Sequence, residues 1–120
     1  MPHLKSIAIV DDDLSVRIAT ESLVRSLGLK ATTFPSAEDY LAAALPVDCL
    51  ITDVQMDGIG GVELSQILHD RGDMTPIIFI TAFPDERIRD RVMAAGAIGF
   101  LGKPFEGQAL IDCIEQALAA

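Results

Sequence analysis

The stretch Ser6-Ile7-Ala8-Ile9-Val10-Asp11-Asp12-Asp13 passes from five residues of strand character straight into three consecutive acids. A short, nearly unbroken apolar run fits a strand covered on both faces, as a central strand of a parallel sheet is. From Leu14 the pattern changes to helical spacing, so the first thirty residues read as a βα unit. The pattern recurs along the chain. Cys49–Thr52 and Ile77–Thr81 are equally apolar and are assigned as central strands, whereas Lys30–Phe34 and Ile98–Leu101 are more mixed and are placed nearer the sheet edges. Five such units make a doubly wound α/β domain with a five-stranded parallel sheet and five helices, spanning residues 1–120 as a single domain.

The helices are marked by caps and periodicity. In Leu14–Leu27 the positions Leu14, Ile18, Val24 and Leu27 approximate one stripe, closed by Gly28. Ser36 is an N-cap for a short helix through Tyr40 and Leu45, with Glu38 and Asp39 in its first turn and Pro46 as its stop. Gly61–Asp70 carries Val62, Leu64, Ile67 and Leu68. Pro84 is expected to open a helix with Ile88, Val92 and Ala95 on one face, ending at Gly96. The last helix, from Glu106 to about Leu118, repeats Leu110, Cys113, Ile114, Ala117 and Leu118.

Composition excludes several function classes. The 120 residues suffice to bury about two-thirds of the surface the unfolded chain exposes. Nine basic against 18 acidic residues give a net charge of −9, the opposite of the basic footprint that nucleic-acid backbones require. No apolar run approaches bilayer length, and Met1–Val10 contains no signal-peptide core, so a cytoplasmic location is expected. Cys49 and Cys113 lie far apart in apolar segments and read as reduced core residues. His3 and His69 stand alone and receive no catalytic role.

In an open α/β sheet the functional crevice lies beyond the carboxyl ends of the strands. Here the first strand ends in Asp11, Asp12 and Asp13, the third in Asp53, the fourth in Thr81, and the fifth runs into Lys103-Pro104. Asp13 reads as an N-cap. The other acids repel one another unless a cation sits between them, and carboxylate oxygens suit Mg²⁺. With Asp11 and Asp12 holding the ion, Asp53 becomes a nucleophile toward a phosphoryl group, Lys103 a positive charge for its oxygens, and Thr81 a hydroxyl donor. Asp11, Asp12, Asp53, Lys103 and one Mg²⁺ sum to zero charge.

The set resembles the receiver domain of two-component response regulators over essentially the whole chain. The resemblance rests on Val10-Asp11-Asp12, Asp53-Val54-Gln55-Met56, Ile80-Thr81-Ala82 and Phe100-Leu101-Gly102-Lys103-Pro104-Phe105. It implies a flavodoxin-like fold with strand order 2-1-3-4-5, a cis peptide before Pro104, and a sensor histidine kinase as phosphodonor. Carried over by position, Asp53 is the phosphoacceptor. Asp11, Asp12 and Asp53 bind Mg²⁺ together with the Gln55 backbone carbonyl, and Thr81 with Phe100 forms the switch pair. Phe34-Pro35-Ser36-Ala37-Glu38-Asp39-Tyr40-Leu41 further resembles regulators ending in a helix-turn-helix, which implies a DNA-binding output domain in a longer chain. Phosphorylation-dependent dimerisation through the fourth and fifth helices is a further implication, with Arg87 and Arg91 on the outer side and Asp85 paired to Arg89.

The departures from the family pattern lie in Asp57-Gly58-Ile59-Gly60-Gly61, where three glycines free the loop and Gly60 replaces a better N-cap. Asp57 adds a charge near the phosphoacceptor. Three other classes compete. A haloacid-dehalogenase-like phosphohydrolase would use Asp11 as nucleophile but leaves Asp53 unexplained. A flavin-binding flavodoxin lacks its phosphate loop, and an unphosphorylated interaction module has no need of the full acid, hydroxyl and lysine set.

Overall fold

The computed structural model describes residues 4–119, so the reading of His3 lies outside the described residues. Five strands, β1 (Ser6–Val10), β2 (Lys30–Phe34), β3 (Cys49–Asp53), β4 (Ile77–Thr81) and β5 (Gly99–Gly102), alternate with five helices. These are α1 (Leu14–Ser26), α2 (Ala37–Ala43), α3 (Gly61–Asp70), α4 (Glu86–Ala94) and α5 (Gly107–Ala119). All neighbouring strands pair in parallel in the order β2-β1-β3-β4-β5, as the resemblance implied. The accessible surface, 6689 Å², is what a well-buried chain of this length should show.

Alternate side chains of each strand point to opposite faces, which splits the apolar runs into two cores. Ala8, Val10, Leu50 and Phe79 pack with Tyr40 of α2, Leu64 and Leu68 of α3 and Val92 of α4. Ile7, Ile9, Ile51, Ile78 and Ile80 pack with Val24 of α1 and with Leu110, Ile114 and Ala117 of α5. Every residue of β3 and β4 is buried, whereas β2 and β5 are partly open, in accord with their central and edge assignments.

Several local expectations are corrected. In α1 the stripe is not Leu14, Ile18 and Leu27, which are 58%, 58% and 37% exposed. The inward face holds Val24 and Thr20 with Val16 and Leu23, and Thr20 enters it because its hydroxyl donates to the Val16 carbonyl. The third strand extends one residue further than expected, to Asp53, and the fifth is displaced by one to Gly99–Gly102. The second helix stops at Ala43, because Ala44 turns left-handed at φ 48° before Leu45 and Pro46 are reached. Pro84 does not open the fourth helix. Asp85 caps it by accepting the Arg87 amide, so Asp85 is not paired with Arg89, whose nearest acid is Asp90. Ala95 is that helix's exposed cap residue, and Cys113 is only half-buried, against Gly99.

Candidate functional site

The parallel sheet delivers the ends of β1, β3 and β4, and the segment after β5, to one edge. Asp11 is fully buried immediately after β1, its backbone amide bonded to the Phe34 carbonyl of β2. Its Oδ1 accepts the Asp13 amide at 2.9 Å, and its carbonyl accepts Arg17 Nη1 at 2.7 Å. Asp13 caps α1 by accepting the Ser15 and Val16 amides, as expected. One carboxylate oxygen from each of Asp11, Asp12 and Asp53 lies within 4.8 Å of the others. Asp12 is the exposed member of the trio.

Lys103 reaches this cluster from beyond β5. Its Nζ stands 2.9 Å from Asp11 Oδ2 and donates a hydrogen bond to Asp53 Oδ2 at 3.1 Å. Asp11 Oδ2 thus has the Lys103 ammonium as its ion-pair partner, whereas the buried Asp53 Oδ1 has no hydrogen-bond partner. Burial and the neighbouring Asp11 charge hold the Asp53 carboxyl above the ordinary carboxylate range, against the opposing pull of Lys103. Burial alone would lower the Lys103 pKa, but Asp11 and Asp53 outweigh it and raise the value. The Lys103–Pro104 bond is cis. The unpartnered Asp53 Oδ1, together with the Asp11 and Asp12 carboxylates that converge on Asp53, forms a donor set that fits a hard divalent cation.

Thr81 is fully buried at the end of β4, and its hydroxyl donates to Gln55 Oε1 at 2.5 Å and accepts the Phe83 amide at 3.0 Å. Its carbonyl accepts the Lys103 amide at 2.7 Å, which ties the ends of β4 and β5 together. An open cavity of about 190 Å³ is lined here by Asp12, Asp53, Gln55, Phe83 and Lys103, among others. A larger one, about 420 Å³, lies between Tyr40, Pro46 and Arg71, where the loops into β3 and β4 begin, away from this edge.

Of the sequence-expected residues, Asp11, Asp12, Asp53, Lys103, Thr81 and Gln55 are brought together. Phe100 stands apart from the acids, half-buried against the core and lining a cavity of about 220 Å³ with Pro84 and Arg89. Asp57 is exposed and outside the carboxylate cluster. Two contributors were missed: the Gln55 side chain, of which only the carbonyl had been considered, and Phe83, which is 73% exposed at the cavity rim. Gln55 lies in the bend just after β3, where strand periodicity no longer says which way a side chain points.

The site is thus a parallel sheet in the order β2-β1-β3-β4-β5 with acids, a hydroxyl and a lysine at its carboxyl edge. The response regulator receiver domain family matches residues 7–115, and the chain belongs to that family. It is 38% identical to the transcriptional regulatory protein TdiR of Thauera aromatica, across 98% of this chain and 52% of TdiR. It is also 38% identical to the transcriptional regulatory protein FixJ of Azorhizobium caulinodans, across 98% of this chain and 57% of FixJ. Among solved structures, the response regulator StyR aligns with a TM-score of 0.89 at 44% identity, over 98% of this chain and 60% of that one. FixJ-N aligns at 0.88 and 34% identity, over 98% and 96%. The chain spans about half the length of the curated relatives it matches. It is a receiver domain of the two-component response regulator type, and the hydrolase and flavodoxin readings are set aside. Receivers take Mg²⁺ at an acidic pocket, and Asp11, Asp12 and Asp53 form an acidic cluster at the corresponding edge of this sheet. Among the described residues no helix is long and apolar enough to cross a membrane.

Proposed function

We propose that Asp53 is the phosphoacceptor of this domain and that a sensor histidine kinase is its donor. The observation that carries the reading is the unpartnered Asp53 Oδ1, buried beside Lys103 in a residue that lines an open cavity. In the transfer, Asp53 Oδ1 forms the new bond to phosphorus while the bond from phosphorus to the donor breaks, and the donor atom keeps that electron pair. Lys103 places a fixed ammonium beside the incoming oxygens, which favours the charge they carry in the transition state. The hydroxyl of Thr81 then has a phosphoryl oxygen within its reach as an acceptor.

Asp11, Asp12 and Asp53, with the Gln55 backbone carbonyl, are the proposed Mg²⁺ ligands. When bound, the ion neutralises charge on the carboxylates and on the phosphoryl oxygens. Asp11 is held for this task by the Asp13 amide and by Arg17. Residues 1–120 are proposed as one domain of cytoplasmic location, with no catalytic activity beyond its own phosphorylation and slow dephosphorylation. Thr81 and Phe100 are the proposed switch pair, and the surface of α4, β5 and α5 is the proposed output and dimer surface. Because the named relatives are transcriptional regulators, a DNA-binding output domain in a longer chain is part of the proposal.

The test is incubation with Mg²⁺ and acetyl phosphate, followed by intact mass and location of the adduct. One phosphoryl group on Asp53, absent in Asp53→Asn, is the expected result. An adduct on Asp11, or none at all, overturns the reading.

A further inference from the structure

A hydroxyl carries one proton. In Thr81 that proton is given to Gln55 Oε1, while the oxygen accepts the Phe83 amide, so the group is committed on both sides. The phosphoacceptor reading asks Thr81 for the same proton, directed to an oxygen on phosphorylated Asp53. The two acceptors compete for it. We infer that the Gln55 side chain is a positioning residue that holds the Thr81 hydroxyl in its resting orientation, so that phosphorylation must exchange an amide acceptor for a phosphoryl one. This rests on the phosphoacceptor role of Asp53 and adds a second role for residue 55, distinct from that of its backbone carbonyl.

Three features suit Gln55 to the task. Its side chain is exposed, so its oxygen is rehydrated on release and the hold is weak enough to be overcome. It lines the same cavity as Asp53 and Phe83, so it meets Thr81 where the phosphoryl group would arrive. A neutral hydrogen bond of this kind biases an equilibrium by about 2- to 10-fold. A phosphoryl oxygen is charged and accepts more strongly, which drives the exchange forward after phosphorylation. The Phe83 amide is carried along, since rotation of the Thr81 hydroxyl removes its acceptor as well.

The test uses beryllium fluoride with Mg²⁺, a stable mimic of the phosphorylated carboxylate, and a double-mutant cycle. Gln55→Met keeps side-chain length and the backbone carbonyl but removes the acceptor. It is expected to bind beryllium fluoride about 2- to 10-fold more tightly than wild type, after correction for separately measured Mg²⁺ affinity. In a Thr81→Ala background the same change is expected to have no effect. In the metal-free protein, three-bond couplings should show one Thr81 χ1 rotamer in wild type and averaging in Gln55→Met. Unchanged or weaker binding, a gain that persists in Thr81→Ala, or an unaltered Thr81 rotamer overturns the inference. Failure of wild type itself to bind beryllium fluoride overturns the phosphoacceptor reading, and this inference with it.

Discussion

Gly61 passes so close to Asp53 that a Cβ added to it would stand 2.1 Å from the Asp53 carbonyl oxygen. The glycine at the first position of α3 is therefore a matter of space. Its amide donates to the Val54 carbonyl, which brings the start of the helix onto the end of β3. Gly61→Ala must push the two apart, at a cost of about 1–3 kcal/mol. We expect a lower urea midpoint together with slower phosphorylation by acetyl phosphate; a wild-type midpoint would show that the loop yields freely.

Asp53→Asn should stabilise the metal-free protein at neutral pH. The raised pKa means that the folded state holds the Asp53 proton more tightly than the unfolded chain. Its contribution to stability therefore falls as pH rises from the ordinary value, about 3.9, through the folded one. An amide has no such slope. Urea midpoints in chelator should favour the variant at pH 7, with the gap narrowing toward pH 4, and a constant gap would contradict this origin.

Lys103→Met leaves two buried carboxylates without their cation, for which a loss of about 3 kcal/mol is expected at pH 7. Because the folded lysine pKa is raised, its stabilisation is complete below its ordinary value of about 10.4 and disappears as pH passes the folded value. The gap between variant and wild type should shrink only in strongly alkaline buffer. Denaturation curves across pH 7 to 11 measure it.

Mg²⁺ at ten times its dissociation constant should stabilise wild type by about 1.4 kcal/mol, reversibly on chelation. Asp12 is exposed, so Asp12→Ala should fold normally yet gain far less at the same Mg²⁺ concentration. An equal gain would remove Asp12 from the ligand set.

Thiol reagents should distinguish the cysteines. Burial pushes the Cys49 thiol up to about 12, whereas Cys113, also raised, is only half-buried. At pH 8 the native protein should label first at Cys113, with Cys49 reacting only on unfolding, as peptide mapping would show.

The central strands were legible because cover on both faces leaves Ile7–Val10, Leu50–Ile51 and Ile77–Ile80 without polar interruption. The inward face of α1 was not, because Thr20 solves its own polarity by bonding to Val16, which hydropathy does not register. The displaced start of β5 has a similar cause. Gly99 carries no side chain to signal a strand, and is there because a Cβ would lie 2.5 Å from Cys113 Sγ. Asp11, Asp53, Thr81 and Lys103 could be placed together because parallel strands put their carboxyl ends on one edge. The Gln55 to Thr81 bond could not, since it depends on how a loop side chain folds back.

The carbonyl of Thr81 is fastened to the Lys103 amide, and its strand is enclosed on both faces. With the main chain so fixed, the movable part is a single β-branched torsion with discrete staggered positions. If Thr81 serves as the proposed switch, the domain would not transmit pressure along a lever. It would act as a two-position valve, with the strength of a stimulus carried by the fraction of molecules found in each position and not by how far any one of them has turned.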